Sequence, residues 1–297
     1  MAASVTLIYV SWNSAGFIRS AMDSALALDF PSEQRRIVVV DNGSQDETVA
    51  ILRAEYPQIT LIAEPINHGF AKANNIAMQR YPADYFALIN TDVRLERPWL
   101  KVIIAAMEAD SSIGVAGCKI FHSNGLLLQH TGAMIRPNLL TYHLGANEFD
   151  LGQHDQPREC DYVMGAACVV RGRVAAKVGY LHEGYFMYYE ETELCYRARQ
   201  AGHKVLYLPK AVAIHDERHS LSRRPSLKYL WRYHRSRYLF AMRNLTTSEQ
   251  RRAFCDAERA WWRESARDVR YRVLMWAARR SHGALLREHP WLAHLRA

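Results

Sequence analysis

Four places in this chain set a chemically capable side chain at the end of an apolar run. In YFALINTDV, residues 85 to 93, the apolar residues stop abruptly at Asn90, Thr91 and Asp92. Tyr85 to Ile89 is too short and too β-rich for a helix, so it is expected to be a buried strand. A carboxylate where such a strand leaves a sheet lies in the crevice where open α/β folds bind ligands, and its oxygens suit a divalent cation. Asp41 ends a second such run in IVVVDNGSQDET, before a turn at Asn42 and Gly43. In EGYFMYYEETELCYRARQAG, aromatic residues and Met187 lead into Glu190, Glu191 and Glu193. A carboxylate against an apolar wall is partly desolvated, which raises its pKa and improves it as a base. KVLYLPKAVAIHDERHS ends an apolar strand on His215, with Asp216 and His219 close by, a setting open to metal ligation. Each has a plainer explanation: Asp92 caps the helix near Pro98, Asp41 bonds its own turn, the glutamates complement a helix dipole, and the histidine is structural.

The framework that must carry these residues is legible in the order of the chain. Val5 to Val10 is a strand followed by a helix that Asn13 or Ser14 can cap, and Ile37 to Val40 is a strand followed by a helix capped near Ser44. ITLIAE then precedes NHGFAKANNIAMQR, where Gly69 permits close backbone approach and a helix N-terminus, with Lys72, welcomes phosphate. Three β–α units therefore come before Asp92, which predicts an α/β fold with a parallel, doubly wound sheet. After a helix over Trp99 to Met107 comes a strand in SIGVAGCKI, then a long polar region, residues 122 to 160, expected to be a lid or an insertion. In YVMGAACVVRGRVAAKVG the small residues Gly165, Ala166 and Ala167 let a ligand or a packed element approach the backbone. A helix closing at Gly202 and two short strands ending at His215 complete this part.

With 297 residues, 49% of them hydrophobic, the chain can bury one large domain or one domain with an appendage, and extensive disorder is excluded. The absence of a long apolar run and of a charged leader predicts a soluble or peripheral protein of the cytoplasm. Five cysteines without a CxxC pair point to reduced, mostly buried thiols. The net charge of +8 is unevenly spread: residues 218 to 297 hold 19 Lys and Arg against 6 Asp and Glu, leaving the first 217 residues net acidic. From Leu227 onward the pattern is helical and basic, and five of the seven Trp lie beyond residue 230. Such helices suit the inner membrane surface, or docking on the rest of the chain or on a second copy in a homo-oligomer. Nucleic acid is not expected, because no binding motif accompanies the charge.

Taken together, VSWNS, VVVDNGSQDET, NHGFAKANN, LINTDV, MGAACVVRGRVAAKVG, YFMYYEETELCYRARQAG and the strand ending at His215 resemble the family 2 glycosyltransferases, in particular a rhamnosyltransferase-like subgroup of cell-envelope polysaccharide synthesis. The resemblance covers about residues 4 to 245. It implies a GT-A fold and inverting transfer of a sugar, rhamnose among the candidates, from a UDP- or dTDP-linked donor to a saccharide or lipid-linked acceptor. It implies a catalytic domain over 1–225, with a nucleotide-binding half at about 1–120 and an acceptor half at about 121–225, and it leaves 226–297 as an amphipathic helical region. Asp41 matches the acid that bonds the nucleotide base, beside the loop of Val10, Trp12 and Asn13. Gly69, Lys72, Gly165 and Ala166 fall in the donor-binding segments. Asp92 matches the last acid of the DxD motif, with Asn90 in the first position, and His215 matches a histidine that completes a Mg²⁺ or Mn²⁺ site. Glu191 matches the catalytic base, usually a shorter Asp, with Glu190 in reserve. The chain departs from the family again at Asp216-Glu217-Arg218-His219, where glycines are common before the serine. Two other readings are a sugar nucleotidyltransferase, although SWNSAGF lacks the Gly- and Arg-rich loop, and a non-catalytic nucleotide-binding module with a decayed metal site.

Overall fold

The computed structural model describes residues 3–216, 226–265 and 269–293. Among them the chain runs β1 (Val5–Ser11), α1 (Ile18–Leu26), β2 (Arg35–Asn42), α2 (Thr48–Glu55), β3 (Thr60–Glu64), α3 (Phe70–Arg80), β4 (Tyr85–Asn90), β5 (Val93–Leu95), α4 (Trp99–Ala109) and β6 (Ile113–His122). Short strands follow, β7 (Leu128–His130), β8 (Ala133–Ile135), β9 (Thr141–His143) and β10 (Arg158–Glu159), then β11 (Ala167–Arg171), α5 (Gly172–Val178), α6 (Glu190–Gln200) and β12 (Lys204–His215). The remainder is helical: α7 (Leu227–Asn244), α8 (Ser248–Ser265), α9 (Val269–Arg280), α10 (Gly283–Glu288) and α11 (Pro290–Ala293).

The main sheet has the order β10-β12-β6-β11-β4-β1-β2-β3, with β5 and β7 added at β12 and β6. Strands β1 to β4 are parallel, as the repeated β–α order requires, and the apolar runs of β1, β2 and β4 are buried on both faces, while β3 lies at the sheet edge and is mostly half-buried. The sheet is mixed, as a mostly parallel GT-A sheet allows, because β11 inserts antiparallel between β4 and β6. That insertion brings the start of β11 level with the end of β4, Ala167 pairing with Ile89, and with the middle of β6, Cys168 pairing with Gly117; β12 runs parallel to β6 so that His215 pairs with His122. One rim of the sheet therefore collects the C-terminal ends of β1, β2, β4, β6 and β12.

Local expectations are corrected where tertiary partners outbid them. Strand β2 does not stop before Asp41 but continues through Asn42, because Asp41 has a ladder partner on either side, Ser11 and Ala63. Neither Asn13 nor Ser14 caps α1 through its side chain; the helix begins at Ile18, and the Ser14 hydroxyl turns to Thr91 at 2.9 Å. Ser44 does not cap α2 either, since its hydroxyl is 2.5 Å from Asp41 and Asp46 takes the Thr48 N–H instead. The two strands expected before His215 are one, β12, whose pairing to β6 shifts between Leu208 and Val212. Pro209 sits there and has no N–H to give to the ladder. The long polar region is not structureless, since it supplies β7 to β10.

Two compact units divide the described chain: 3–134, 143–186 and 190–216 form one, and 135–142, 187–189, 226–265 and 269–293 the other. In the second unit the Ser226 hydroxyl caps α7 by accepting the Tyr229 N–H at 3.1 Å. Its interior is tied by an ion pair, Arg237 to Glu258 at 2.7 and 2.6 Å, in which both side chains are fully buried.

Candidate active site

The loops leaving β1 and β2 lock onto each other. Asp41 is buried and accepts from the Ser11 hydroxyl at 2.8 Å, the Ser44 N–H at 2.9 Å and the Ser44 hydroxyl. Asn13 takes a positive φ of 52°, gives its N–H to the Ser44 hydroxyl at 2.8 Å and accepts the Gln45 N–H at 2.8 Å. In this arrangement Asp41 braces the loop: Oδ1 takes both hydroxyls and Oδ2 one N–H, which leaves a single acceptor site on Oδ2 for a nucleotide base. Trp12 stands 56% exposed beside it, an open aromatic face, while Val10 pairs with Asn90 across β1 and β4.

Gly69 precedes α3 with φ of 83°, and a Cβ there would lie 2.6 Å from the Phe186 carbonyl oxygen, so only glycine fits. Asn42 clamps the same turn, accepting the His68 N–H at 3.0 Å and donating to the Gly69 carbonyl at 3.1 Å. Lys72 is half-buried in the first turn of α3, and among the described residues no carboxylate lies within ion-pair reach of it.

Asp92 and His215, 123 residues apart, meet at the rim with His215 Nε2 3.1 Å from Asp92 Oδ1. The pairing of β5 with β12 creates this contact by setting Val93 opposite His215. On the other side of the ring, Gln129 Oε1 accepts from His215 Nδ1 at 2.9 Å. That bond places the imidazole proton on Nδ1 and turns the Nε2 lone pair toward a carboxylate. Two lone pairs at this distance call for a positive charge between them, either a second proton or a cation. Two neighbouring ligands of a cation with bonds of about 2.1 Å stand about 3 Å apart, so the donor pair fits Mg²⁺ or Mn²⁺. Burial raises the Asp92 pKa, but the hydrogen bond and charge that His215 supplies when Nε2 carries the second proton outweigh it and hold the carboxyl below its ordinary value. Among the described residues no third His, Cys, Asp or Glu completes a metal cluster, so the rest of a coordination shell would come from donor phosphates and water. Asn90 ends β4 with its N–H bonded to the Ala166 carbonyl at 2.9 Å. Of the residues around His215, Asp216 gives its N–H to the Asp92 carbonyl at 2.7 Å, while Glu217, Arg218 and His219 lie outside the described residues.

What approaches Gly165 closely is Glu191, from the first turn of α6: a Cβ added at Gly165 would sit 3.2 Å from Glu191 Cγ. Burial is the largest influence on Glu191 and raises its pKa, opposed by the backbone N–H groups of Glu191, Gly165 and Thr192. Glu190 is pushed well above the ordinary value by burial and then by the neighbouring Glu191. It is only 5% exposed and its Oε2 lacks a hydrogen-bond partner, whereas Glu191 is half-buried. A base must reach a substrate hydroxyl, so Glu191 is the better placed of the two. The turn before them is unusual in its backbone, with Tyr188 and Tyr189 both at φ of 72°. Gly165→Ala is expected to displace Glu191 by a few tenths of an ångström and lower kcat roughly tenfold. Initial rates and a melting curve check this, the melting temperature staying near the parent's.

Asp92 and His215 thus touch each other, and Asp41, Asn90, Gly165, Ala166 and Glu191 share their rim through the links described without forming one contact cluster. Gln129 escaped sequence reasoning: it lies in the polar region 122–160, where no periodicity or motif marks it.

A mixed α/β sheet of this order flanked by helices is a GT-A-like fold. The chain belongs to glycosyl transferase family 2, whose sequence profile matches residues 6–178. It is 26% identical over 213 residues to the low-salt glycan biosynthesis hexosyltransferase Agl10 of Haloferax volcanii, spanning 68% of this chain and 66% of that one. It is 24% identical over 255 residues to the N-acetylglucosaminyl-diphospho-decaprenol L-rhamnosyltransferase of Mycobacterium tuberculosis, spanning 78% of each. Among solved structures, GalNAc-T7 with UDP, GalNAc and Mn²⁺ superposes with a TM-score of 0.64 at 16% identity, covering 81% of this chain and 50% of that one, which supports the fold. The protein is therefore a glycosyltransferase. Among the described residues no helix is long and apolar enough to cross a membrane.

Proposed function

We propose that this glycosyltransferase moves a hexose or deoxyhexose, rhamnose being one candidate, with inversion from a UDP- or dTDP-linked donor to a saccharide or lipid-linked saccharide. The observation that carries the reading is the contact of Asp92 with His215 at 3.1 Å on the rim that also holds Glu191. Asp92 and His215 would hold the divalent cation, which when bound supplies positive charge to the departing diphosphate. Glu191 takes the proton of the acceptor hydroxyl as that oxygen bonds to the anomeric carbon from the face opposite the breaking bond to the diphosphate. Asp41, Trp12 and the Val10–Asn13 loop receive the base, and Gly69, Lys72, Asn90, Gly165 and Ala166 line the donor. Residues 1–120 serve the donor and residues 121–225 the acceptor.

The names of the two relatives, a hexosyltransferase of glycan biosynthesis and a transferase acting on a decaprenol-linked saccharide, support a cell-envelope acceptor. A lipid-linked acceptor fits the basic C-terminal helices as a peripheral contact with an anionic membrane face. There Val273 and Trp276 stand 61% and 54% exposed, with the Arg280 guanidinium over the Trp276 ring.

The test is a panel of nucleotide sugars with Mn²⁺, read as nucleoside diphosphate released and sugar transferred. Turnover is expected with a UDP- or dTDP-sugar, and both excess chelator and Asp92→Ala should lower it by about a thousandfold. Full turnover in chelator would remove the metal from the proposal. Pyrophosphate release from a nucleoside triphosphate and a sugar phosphate would make the protein a nucleotidyltransferase, and stabilisation by UDP without turnover would make it a binding module.

A further inference from the structure

The segment carrying Gly165 is held from behind by a chain of buried rings. The Met164 N–H donates to His130 Nε2 at 3.3 Å, His130 Nδ1 lies 2.7 Å from His143 Nδ1, and His143 Nε2 lies 3.1 Å from the Tyr162 hydroxyl. His130 is fully buried and Tyr162 is 2% exposed. Only one proton arrangement satisfies every bond between these neutral rings. A backbone N–H can only donate, so His130 Nε2 is bare and its single proton is on Nδ1. His143 Nδ1 then accepts, and the His143 proton on Nε2 goes to the tyrosine oxygen. Burial keeps both rings neutral, pushing His130 well below its ordinary pKa and His143 down to about 4. The rings also pack edge to face, at 4.9 Å between the histidines and 5.7 Å from His143 to Tyr162.

The opposite side of the segment is equally constrained. Val163 presses on β6 where a Cβ on Gly117 would come within 2.4 Å of it, and the Ala166 carbonyl accepts from Asn90. Met164 and Gly165 thus stand between the end of β4 and the rings, with the Gly165 N–H and bare Cα toward Glu191.

We propose that His130 is the positioning residue of the base: through Met164 it sets Gly165 against Glu191, with His143 and Tyr162 fixing its tautomer. This rests on Glu191 being the base. The titratable groups facing Glu191 are Glu190 and Cys195 from α6 and Cys168 from β11, and burial pushes both thiols up. None of these lowers the Glu191 pKa. Loosening Gly165 removes one of the N–H donors that does, so the Glu191 pKa should rise and the acid limb of kcat/KM should move to higher pH.

The experiment measures kcat, KM and the pH profile of the full chain with the UDP- or dTDP-sugar that turns over, alongside the thermal shift with UDP. His130→Ala is expected to lower kcat roughly 10- to 100-fold and to raise the acid limb by about half to one pH unit, with the UDP shift retained. His130→Gln, whose side-chain oxygen can accept the Met164 N–H, should recover most of both, and Tyr162→Phe should move the limb the same way by less. Tyr162→Phe carries the test if His130→Ala does not fold. An acid limb that stays in place while Glu191→Gln is inactive, or His130→Gln no better than His130→Ala, overturns this inference alone. A Glu191→Gln enzyme with parental kcat removes the base assignment, and this inference with it.

Discussion

Glu191→Gln should lower kcat by roughly 10²- to 10⁴-fold while donor binding stays near the parent's. The substitution keeps the volume and one oxygen for the Gly165 and Thr192 N–H groups, but an amide cannot take a proton. Glu190→Gln should cost much less, because Glu190 is only 5% exposed and burial, then the neighbouring Glu191, pushes its pKa well above the ordinary value. Both changes carry a stability signature with a definite sign. Burial lifts the folded-state pKa of these carboxyls, so their contribution to stability is present at low pH and is lost as pH rises through the folded value. The Gln variants escape that loss and should melt no lower than the parent at pH 8. Single-turnover rates at saturating donor, with melting curves at two pH values, decide the matter; a Glu191→Gln enzyme at parental kcat would pass the role to Glu190 or to water.

Glu258→Ala should destabilise the second unit by about 3–5 kcal/mol, because it strands a buried guanidinium. Arg237 is fully buried and bonds both Glu258 oxygens, the Asn138 carbonyl at 2.7 Å and the Tyr238 hydroxyl at 3.2 Å. Glu258 in turn accepts from the Tyr238 hydroxyl at 2.8 Å and Trp262 Nε1 at 3.1 Å, so its loss leaves several donors without an acceptor. Burial would raise the Glu258 pKa, but Arg237 more than offsets this and the carboxyl sits below its ordinary value. The pair's stabilisation is therefore present above the unfolded carboxyl pKa and disappears as pH falls through the folded one. Because five of the seven Trp lie beyond residue 230, fluorescence during urea unfolding reports chiefly on this unit. An apolar replacement of both partners, Arg237→Met with Glu258→Leu, should recover much of the loss, since the cost lies in the unpaired charge. A single variant as stable as the parent would mean that water reaches the pair.

Particular residues show how far local reasoning reached. The runs before Asp41, Asp92 and His215 read as strands, and each of the three residues lies at the C-terminal end of a strand or just beyond it. Helix caps were less legible: Ser14 and Ser44 have the right chemistry, yet Thr91 and Asp41 compete for their hydroxyls from elsewhere in the chain. Gln129, His130 and His143 left no mark, because single residues in short strands have no periodicity and acquire meaning only from what they face.

The amino-acid sequence by itself determined the repeated strand–turn–helix order, the small residues around Gly165 and the acid-ending apolar runs, since hydrophobic period and turn chemistry act over a few residues. The tertiary structure alone decided which of those residues meet. The antiparallel insertion of β11 carries Gly165 to the rim and to Glu191, and the pairing of β12 with β5 joins His215 to Asp92 across 123 residues. Which strands distant in the chain become neighbours is settled by the packing of the whole sheet, because a local apolar run fixes the face a strand buries and not the partner it pairs with.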